Sequence, residues 1–272
     1  MEKVLLDTDI GGDIDDAICR AGGRRIPIVA GLDTTLQPIG MYPTPEGAGA
    51  LQDWPHSIYE KGDAPAFLYK KIKENPHEVV LMGIGNMTNI ATLFINYPDA
   101  AGLLKGLYVM NGYFGENPLP QPWFNWNSWA DPLACEIVFS ADISIHRAVP
   151  LEVTDLLTMD AGQAEILLGT DSDLIKAVLS FGNAWLKSSD KLTLHDPLAA
   201  VCAFHPEICQ FERGNVRVET QWESHMGATT FTPCKNGSVE IARTVNREQF
   251  YRILSSTLRG ACAEGEKGEK YV

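Results

Sequence analysis

Asp7, Asp9, Asp13, Asp15 and Asp16 fall within ten residues of one another, in the stretch Leu5-Leu6-Asp7-Thr8-Asp9-Ile10-Gly11-Gly12-Asp13-Ile14-Asp15-Asp16-Ala17. Val4, Leu5 and Leu6 read as a buried strand, and Gly11-Gly12 as the turn that ends it. Carboxylates crowded at a strand end repel and raise one another's pKa unless a cation compensates them. A hard divalent cation, which takes oxygen ligands, is the natural partner. The bland alternative is a solvated acidic turn. An EF-hand is excluded, because glycine occupies position 11, where a ligand is needed, and no glutamate sits at position 18.

Short apolar runs alternating with helical patterns must position these groups. Val79-Val80-Leu81-Met82 and Leu107-Tyr108-Val109-Met110 read as strands, and Ile143-Ser144-Ile145 with Ala148-Val149 as a third. After the first of these, Thr88 or Asn89 is expected to cap a helix through Ile90, Ala91, Leu93 and Phe94. Asp131-Pro132 opens another through Ala134, Ile137 and Val138. Ala161 to Leu168, Leu174 to Leu186 and Asp196 to Phe204 also read as helices, and residues 206–245 as turns and short alternating strands. The repetition implies an α/β fold with a mainly parallel sheet. Ligands of such sheets bind beyond the carboxyl ends of the strands, where the polar clusters here fall.

The 272 residues can bury a substantial core. A net charge of −13 argues against nucleic acid and against an anionic membrane surface as partners. No apolar stretch is long enough to span a bilayer. None of the six cysteines forms a CxxC pair, so no zinc site is indicated. Cys135 and Cys202 read as small core residues. The N-terminus carries no signal-peptide pattern, and a reduced, cytoplasmic setting is expected.

Four segments together resemble the nucleoside hydrolase family of the inosine/uridine-preferring type, calcium-dependent enzymes that split the N-glycosidic bond of ribonucleosides. They are Asp7-Thr8-Asp9 with Asp15-Asp16-Ala17, in a form with a Gly-Asp insertion; Gly85-Asn86-Met87-Thr88-Asn89-Ile90-Ala91; Met110-Asn111-Gly112 followed by Asn125-Trp126-Asn127 and Asp131-Pro132; and Leu194-His195-Asp196-Pro197-Leu198-Ala199. The resemblance implies a nucleoside hydrolase-like α/β fold, a mainly parallel (Rossmann-like) sheet flanked by helices, in a single domain over 1–272. It implies hydrolysis of ribonucleosides to ribose and free base, Ca²⁺ as cofactor, a small-molecule nucleoside as substrate and a homo-oligomeric assembly. Matched residue by residue, Asp9, Asp16 and Asp196 correspond to the calcium carboxylates, and Ile84 to a position whose backbone carbonyl ligates the metal. Asp15 matches the general base, which also lies against the substrate. Asn127 matches a ribose-binding asparagine, Asn117 another, and Asn125 a ribose-contacting position. His195 matches a histidine that protonates the leaving base. The chemistry is coherent: a metal lowers the pKa of water, a carboxylate takes its proton, and a histidine supplies one to the departing base.

Plainer roles stand beside these. Asp7 reads as a structural organiser hydrogen-bonding the loop backbone, and Asp13 as solvated. His195-Asp196-Pro197 alone would be a helix cap with proline at the helix's first position. Trp123, Trp126 and Trp129 suit packing as well as base stacking. His56, His146, His205 and His225 read as surface or satisfied structural histidines.

The chain also departs from the family pattern. It passes from Cys19 almost directly to Arg24-Arg25-Ile26-Pro27, an apparent internal deletion near 19–24. A parallel crossover needs roughly a dozen residues, so a family strand is expected to be missing and the sheet to be open beside the metal site. Asn125 stands where the family has glutamate. No base-recognition loop is recognisable between Gln37 and Lys61, and 264–272 is a charged tail. Two other classes compete. One is a relative that binds calcium and a ribosyl ligand without turnover. The other is a phosphatase of the haloacid dehalogenase type, which would require Asp-x-Asp-Gly-Thr where this chain has Ile10-Gly11 after Asp9.

Overall fold

The computed structural model describes residues 3–9, 27–38, 62–115, 124–168, 173–187 and 189–265. Its frame is a parallel sheet. Strand β1 (Lys3–Asp7) pairs with β2 (Val79–Gly83), β2 with β3 (Gly106–Met110) and β3 with β4 (His146–Val149). Every residue of β2 and β3 is buried, as expected of parallel strands covered on both faces. Alternate residues point to opposite sides, which splits the core in two. Val80, Met82, Tyr108 and Met110 enter one apolar cluster; Val79, Leu81, Leu107 and Val109 enter the other.

Helices α1 (Ala64–Glu74), α2 (Thr88–Asn96) and α5 (Pro132–Phe139) fill the second cluster through residues such as Ile72, Leu93 and Phe139. Between them in sequence lie the short α3 (Ala100–Leu103) and α4 (Trp126–Ala130). Beyond β4 come α6 (Leu151–Thr154), β5 (Thr158–Met159), α7 (Ala161–Leu168), α8 (Asp173–Trp185), β6 (Leu192–Thr193) and α9 (His195–Phe204). Helix α9 packs on β2 and β3, and its Leu198, Ala199 and Cys202 enter the first cluster with Phe250 and Leu254. The last two belong to α10 (Arg247–Gly265).

Residues 209–245 complete the sheet. The long β7 (Cys209–Val218) pairs antiparallel with β8 (Thr229–Pro233) and with β9 (Val239–Val245), and β9 lies parallel to β4. The order is β1-β2-β3-β4-β9-β7-β8, with β5 and β6 forming a separate antiparallel pair. The expected α/β architecture with a mainly parallel sheet is therefore present. Among the described residues β1 is an edge strand, and 27–38 contributes no strand. The apparent deletion itself and the loop 39–61 lie outside the described residues. Among those described, no helix is long and apolar enough to cross a membrane.

Three local expectations need correction. Neither Thr88 nor Asn89 caps α2; Met87 is the N-cap, with no side-chain cap bond, because both polar side chains are drawn to tertiary partners. The fourth strand starts only at His146, after Ile143–Ile145. His146 is poorly satisfied: it is buried against Phe139, and neither ring nitrogen makes a hydrogen bond of good geometry, the Ala141 backbone being its one nearby polar neighbour among the described residues. Helix α1 follows from signals in the chain, an Asp63 side chain accepting from Ala66 N at 3.0 Å and Pro65 in the first turn.

Burial pushes the His146 pKa down to about 4, the Ala141 backbone opposing it. The unfolded chain protonates this ring near its usual 6.5, so between those values the unfolded state binds more protons. Stability from this site is present above pH 6.5 and is lost as pH falls toward 4. Buried Asp7 acts in the opposite sense, so the His146 contribution is read as a difference. From pH 7 to pH 5, His146→Leu should gain on the wild type by on the order of 2 kcal/mol. Urea unfolding of both proteins at the two pH values measures it; parallel pH profiles would remove the neutral buried imidazole from the account.

Candidate active site

The carboxyl ends of β1, β2 and β3 lie side by side, with Asp7 in register with Gly83 and Gly83 with Val109. The Asp7 carbonyl accepts from Ile84 N at 2.9 Å, which extends the ladder one residue past β2. The Asp7 carboxyl group is buried and accepts from Asn89 Nδ2 at 2.8 Å. Desolvation pushes its pKa up to about 7; Asn89 opposes this and neighbouring Asp9 adds to it. Asp7 is thus structural as expected, but its partner is a helix side chain, and Asn89 Oδ1 in turn accepts from Leu32 N at 2.9 Å.

Asp9 is exposed at the end of the same strand. Gly85 lies against it: a Cβ on Gly85 would stand 2.8 Å from Asp9 Cγ and Oδ1, and 2.7 Å from its backbone nitrogen. The missing side chain leaves the space in which the Asp9 carboxylate sits. Immediately before it, the Ile84 carbonyl accepts from Asn127 Nδ2 at 2.9 Å, and the same nitrogen donates to Met110 O at 3.0 Å. One buried amide therefore joins the ends of β2 and β3. Asn127 is held by its own turn. Asn125 is the N-cap of α4, its Oδ1 accepting from Asn127 N at 2.8 Å, and Ser128 Oγ donates to Asn125 O at 2.9 Å. At Asn125 the cap needs only an oxygen acceptor, so a neutral amide suffices.

Asp131 was expected to open a helix, and it caps α5 through Ala134 N at 3.2 Å. It does more. Fully buried, it also accepts from Thr88 Oγ1 at 2.7 Å, Leu36 N at 2.7 Å and Gln37 N at 3.1 Å. Four donors surround one carboxylate and pin residues 36–37 beside α2 and α5. Nothing in the local pattern beyond Asp-Pro signals this, because the partners come from remote segments.

The fourth segment opens α9. Leu194 is the N-cap of α9 and makes no side-chain cap bond; His195 and Asp196 are its first two residues. The helix-cap role for His195-Asp196-Pro197 is thereby corrected. Asp196 is buried and His195 half-buried. His195 Nδ1 lies 2.7 Å from Thr154 Oγ1 at the end of α6, a contact with no forewarning in the sequence. Trp126 is exposed and packs on Trp129 with ring centroids 5.0 Å apart.

Asp15, Asp16, Asn117 and Trp123 lie outside the described residues. Among the described residues no three His, Cys, Asp or Glu side chains are grouped to hold a metal ion. The donors that are described suit a hard cation: two carboxylates, Asp9 and Asp196, and the Ile84 carbonyl, which keeps a second lone pair beside its bond from Asn127.

Polar side chains gathered beyond the carboxyl ends of parallel strands define an α/β protein with a small-ligand site. The sequence model of the inosine-uridine preferring nucleoside hydrolases matches residues 16–252, and the chain belongs to that family. An uncharacterised protein of Schizosaccharomyces pombe is 29% identical over 254 residues, covering 88% of this chain and 82% of that one. Uridine nucleosidase 1 of Arabidopsis thaliana is 31% identical over 166 residues, which are 58% of this chain and 48% of the plant protein. The chain thus matches about half the length of that nucleosidase. The solved structure of a plant nucleoside hydrolase superposes with a TM-score of 0.77 at 23% identity, covering 94% of this chain and 98% of the other, which shows a shared fold.

Gly85→Ala would force its Cβ into Asp9 and should cost about 1–3 kcal/mol. Urea denaturation reads that cost, and calorimetric calcium titration reads the displaced carboxylate as weaker binding. Unchanged values for both would show that Asp9 does not depend on the glycine.

Proposed function

We propose that this chain hydrolyses the N-glycosidic bond of ribonucleosides to ribose and free base. The observation that carries the proposal is the Asn127 amide, which joins the family-matched carbonyl position Ile84 to Met110 at the ends of β2 and β3. Asp9, Asp16, Asp196 and the Ile84 carbonyl would hold Ca²⁺. When bound, the ion would supply Lewis acidity, lowering the pKa of water and orienting ribose hydroxyls.

The chain's own residues then divide the work. Asp15 accepts the proton of the attacking water. Asn117, Asn125 and Asn127 orient the ribose, and Asp15 lies against it. The carboxylates favour the positive charge that develops on the sugar as the bond to the base breaks. His195 delivers a proton to the departing base. Asp7 stays behind this set, fixing β1 to α2 through Asn89. A single domain, a homo-oligomeric state and a cytoplasmic role in nucleoside salvage complete the proposal.

A second reading has one observation in its favour. Asn125 spends its Oδ1 on capping α4 and brings no charge where the family has glutamate, which fits a relative that binds calcium and a ribosyl ligand without turnover. Ribose release from inosine, uridine and adenosine, with calcium and then with EDTA, separates the two. The hydrolase should release ribose only with the metal, and Asp15→Asn should abolish release while largely sparing calcium binding. Calcium and ribose binding with no release from folded protein would establish the second reading instead.

A further inference from the structure

Two thiols meet inside the first apolar cluster. Cys202 Sγ lies 3.4 Å from Cys209 Sγ. Both side chains are buried, at 0% and 7% exposure, and both thiols are free. Cys202 sits in the last turn of α9, and Cys209 opens β7. The chain between them is short and held by backbone. His205 N donates to Val201 O at 2.7 Å, closing α9, and Ile208 N donates to His205 O at 3.2 Å in the turn that follows. Asn246 N donates to Ile208 O at 2.7 Å, and Cys209 pairs with Val245 on β9. A helix end and a strand start, each fixed by its own hydrogen bonds, bring the two sulfurs into contact.

A disulfide needs its sulfurs about 2.05 Å apart. From 3.4 Å each has to move roughly 0.7 Å, which small χ1 rotations supply. The hydrogen bond to Cys209, and then burial, push the Cys202 thiol pKa up. Cys202 therefore stays protonated. Cys209, the one with some exposure, is the sulfur that a water-sized oxidant meets first.

We propose that Cys202 and Cys209 are a redox-sensitive pair, which hydrogen peroxide closes into a disulfide that ties α9 to β7 in the folded protein. The Cys209 sulfur attacks one peroxide oxygen. The O–O bond breaks, the thiol proton leaves with the other oxygen as water, and Cys209 becomes a sulfenic acid. The Cys202 sulfur then displaces that hydroxyl, its own proton going with it as a second water, and the S–S bond forms. The two thiols give up two electrons, and the peroxide takes them. The second step crosses only 3.4 Å within one molecule, so it outruns further oxidation of the sulfenic acid. The ring closed, from 202 to 209, is short, yet its constraint on the unfolded chain lowers the unfolding equilibrium constant on the order of fiftyfold. The stapled helix is the one that begins with His195 and Asp196.

The test uses the full, folded chain and hydrogen peroxide. After catalase removes the oxidant, remaining thiols are alkylated in denaturant and the protein is cut after glutamate. Glu207 lies between the two cysteines, so a disulfide leaves two peptides joined, which dithiothreitol separates. Mass spectrometry should find the joined pair after peroxide, while Cys135, equally buried, is recovered alkylated. Urea titration should show the unfolding constant lowered on the order of fiftyfold by peroxide, and unchanged by it in Cys202→Ser. The proposal is overturned if no joined pair forms in the folded wild type, if either cysteine ends as a sulfinic acid, or if the pair joins only in urea. A joined pair with no gain in stability overturns the staple as well. These outcomes are read on the wild type and hold even where the serine variant does not fold.

Discussion

A carboxylate that water cannot reach has to be surrounded by donors, and Asp131 is surrounded by four. They come from its own helix, from Thr88 at the start of α2, and from Leu36 and Gln37, almost a hundred residues away in sequence. An ionised group costs several kcal/mol to bury unless its lone pairs are met, so none of the three segments can shift alone. The rest of the site hangs from this junction. Helix α2 carries Asn89 to Asp7, and the turn before α5 carries Asn127 to the ends of β2 and β3. Buried polar side chains do here what loops by themselves do not, which is to fix strand ends relative to each other to within a hydrogen bond.

Much of this frame was legible in the chain. The apolar runs of β2 and β3, the Asp-Pro start of α5, and helices α7 to α9 follow from periodicity and caps. What escaped shares one cause. Thr88 and Asn89 are good cap residues by type, yet their side chains found stronger tertiary partners in Asp131 and Asp7. Helix α10 went unread between the strands ending at 245 and the charged tail from 264, although Phe250, Leu254 and Leu258 make the helical spacing of a buried face. His146 was expected to be satisfied because histidines generally are; only the packed structure reveals a ring sealed against Phe139 without a hydrogen bond of good geometry. The candidate site was legible in residue types and in the resemblance of its motifs. The contacts between those motifs were not, because Asn127 to Ile84 and Thr154 to His195 span about forty residues each.

The two negative groups at the end of β1 illustrate how position divides one residue type between roles. Asp7, with no access to water, loses charge to desolvation and is useful as an anchor for Asn89. Asp9, two residues on and exposed, keeps the carboxylate that a cation could use, and Gly85 yields it room. Asp7 is the last residue of β1 and Asp9 lies two residues beyond the strand's end, so the difference follows from how far each has left the sheet.

The placement of β9 has a bearing on the order in which the molecule assembles. Strand β4 lies between β3 and β9, pairing Arg147 with Glu240 across 93 residues and reinforcing that register with a 2.9 Å ion pair. During synthesis the first four strands can associate as they emerge, but the outer rim of β4 keeps its amides and carbonyls unpaired until Val239–Val245 has left the ribosome. A nascent chain halted before that point presents a bare strand rim, the kind of surface that recruits other chains. The C-terminal third therefore acts as the closing seam of a sheet whose first half is already laid down.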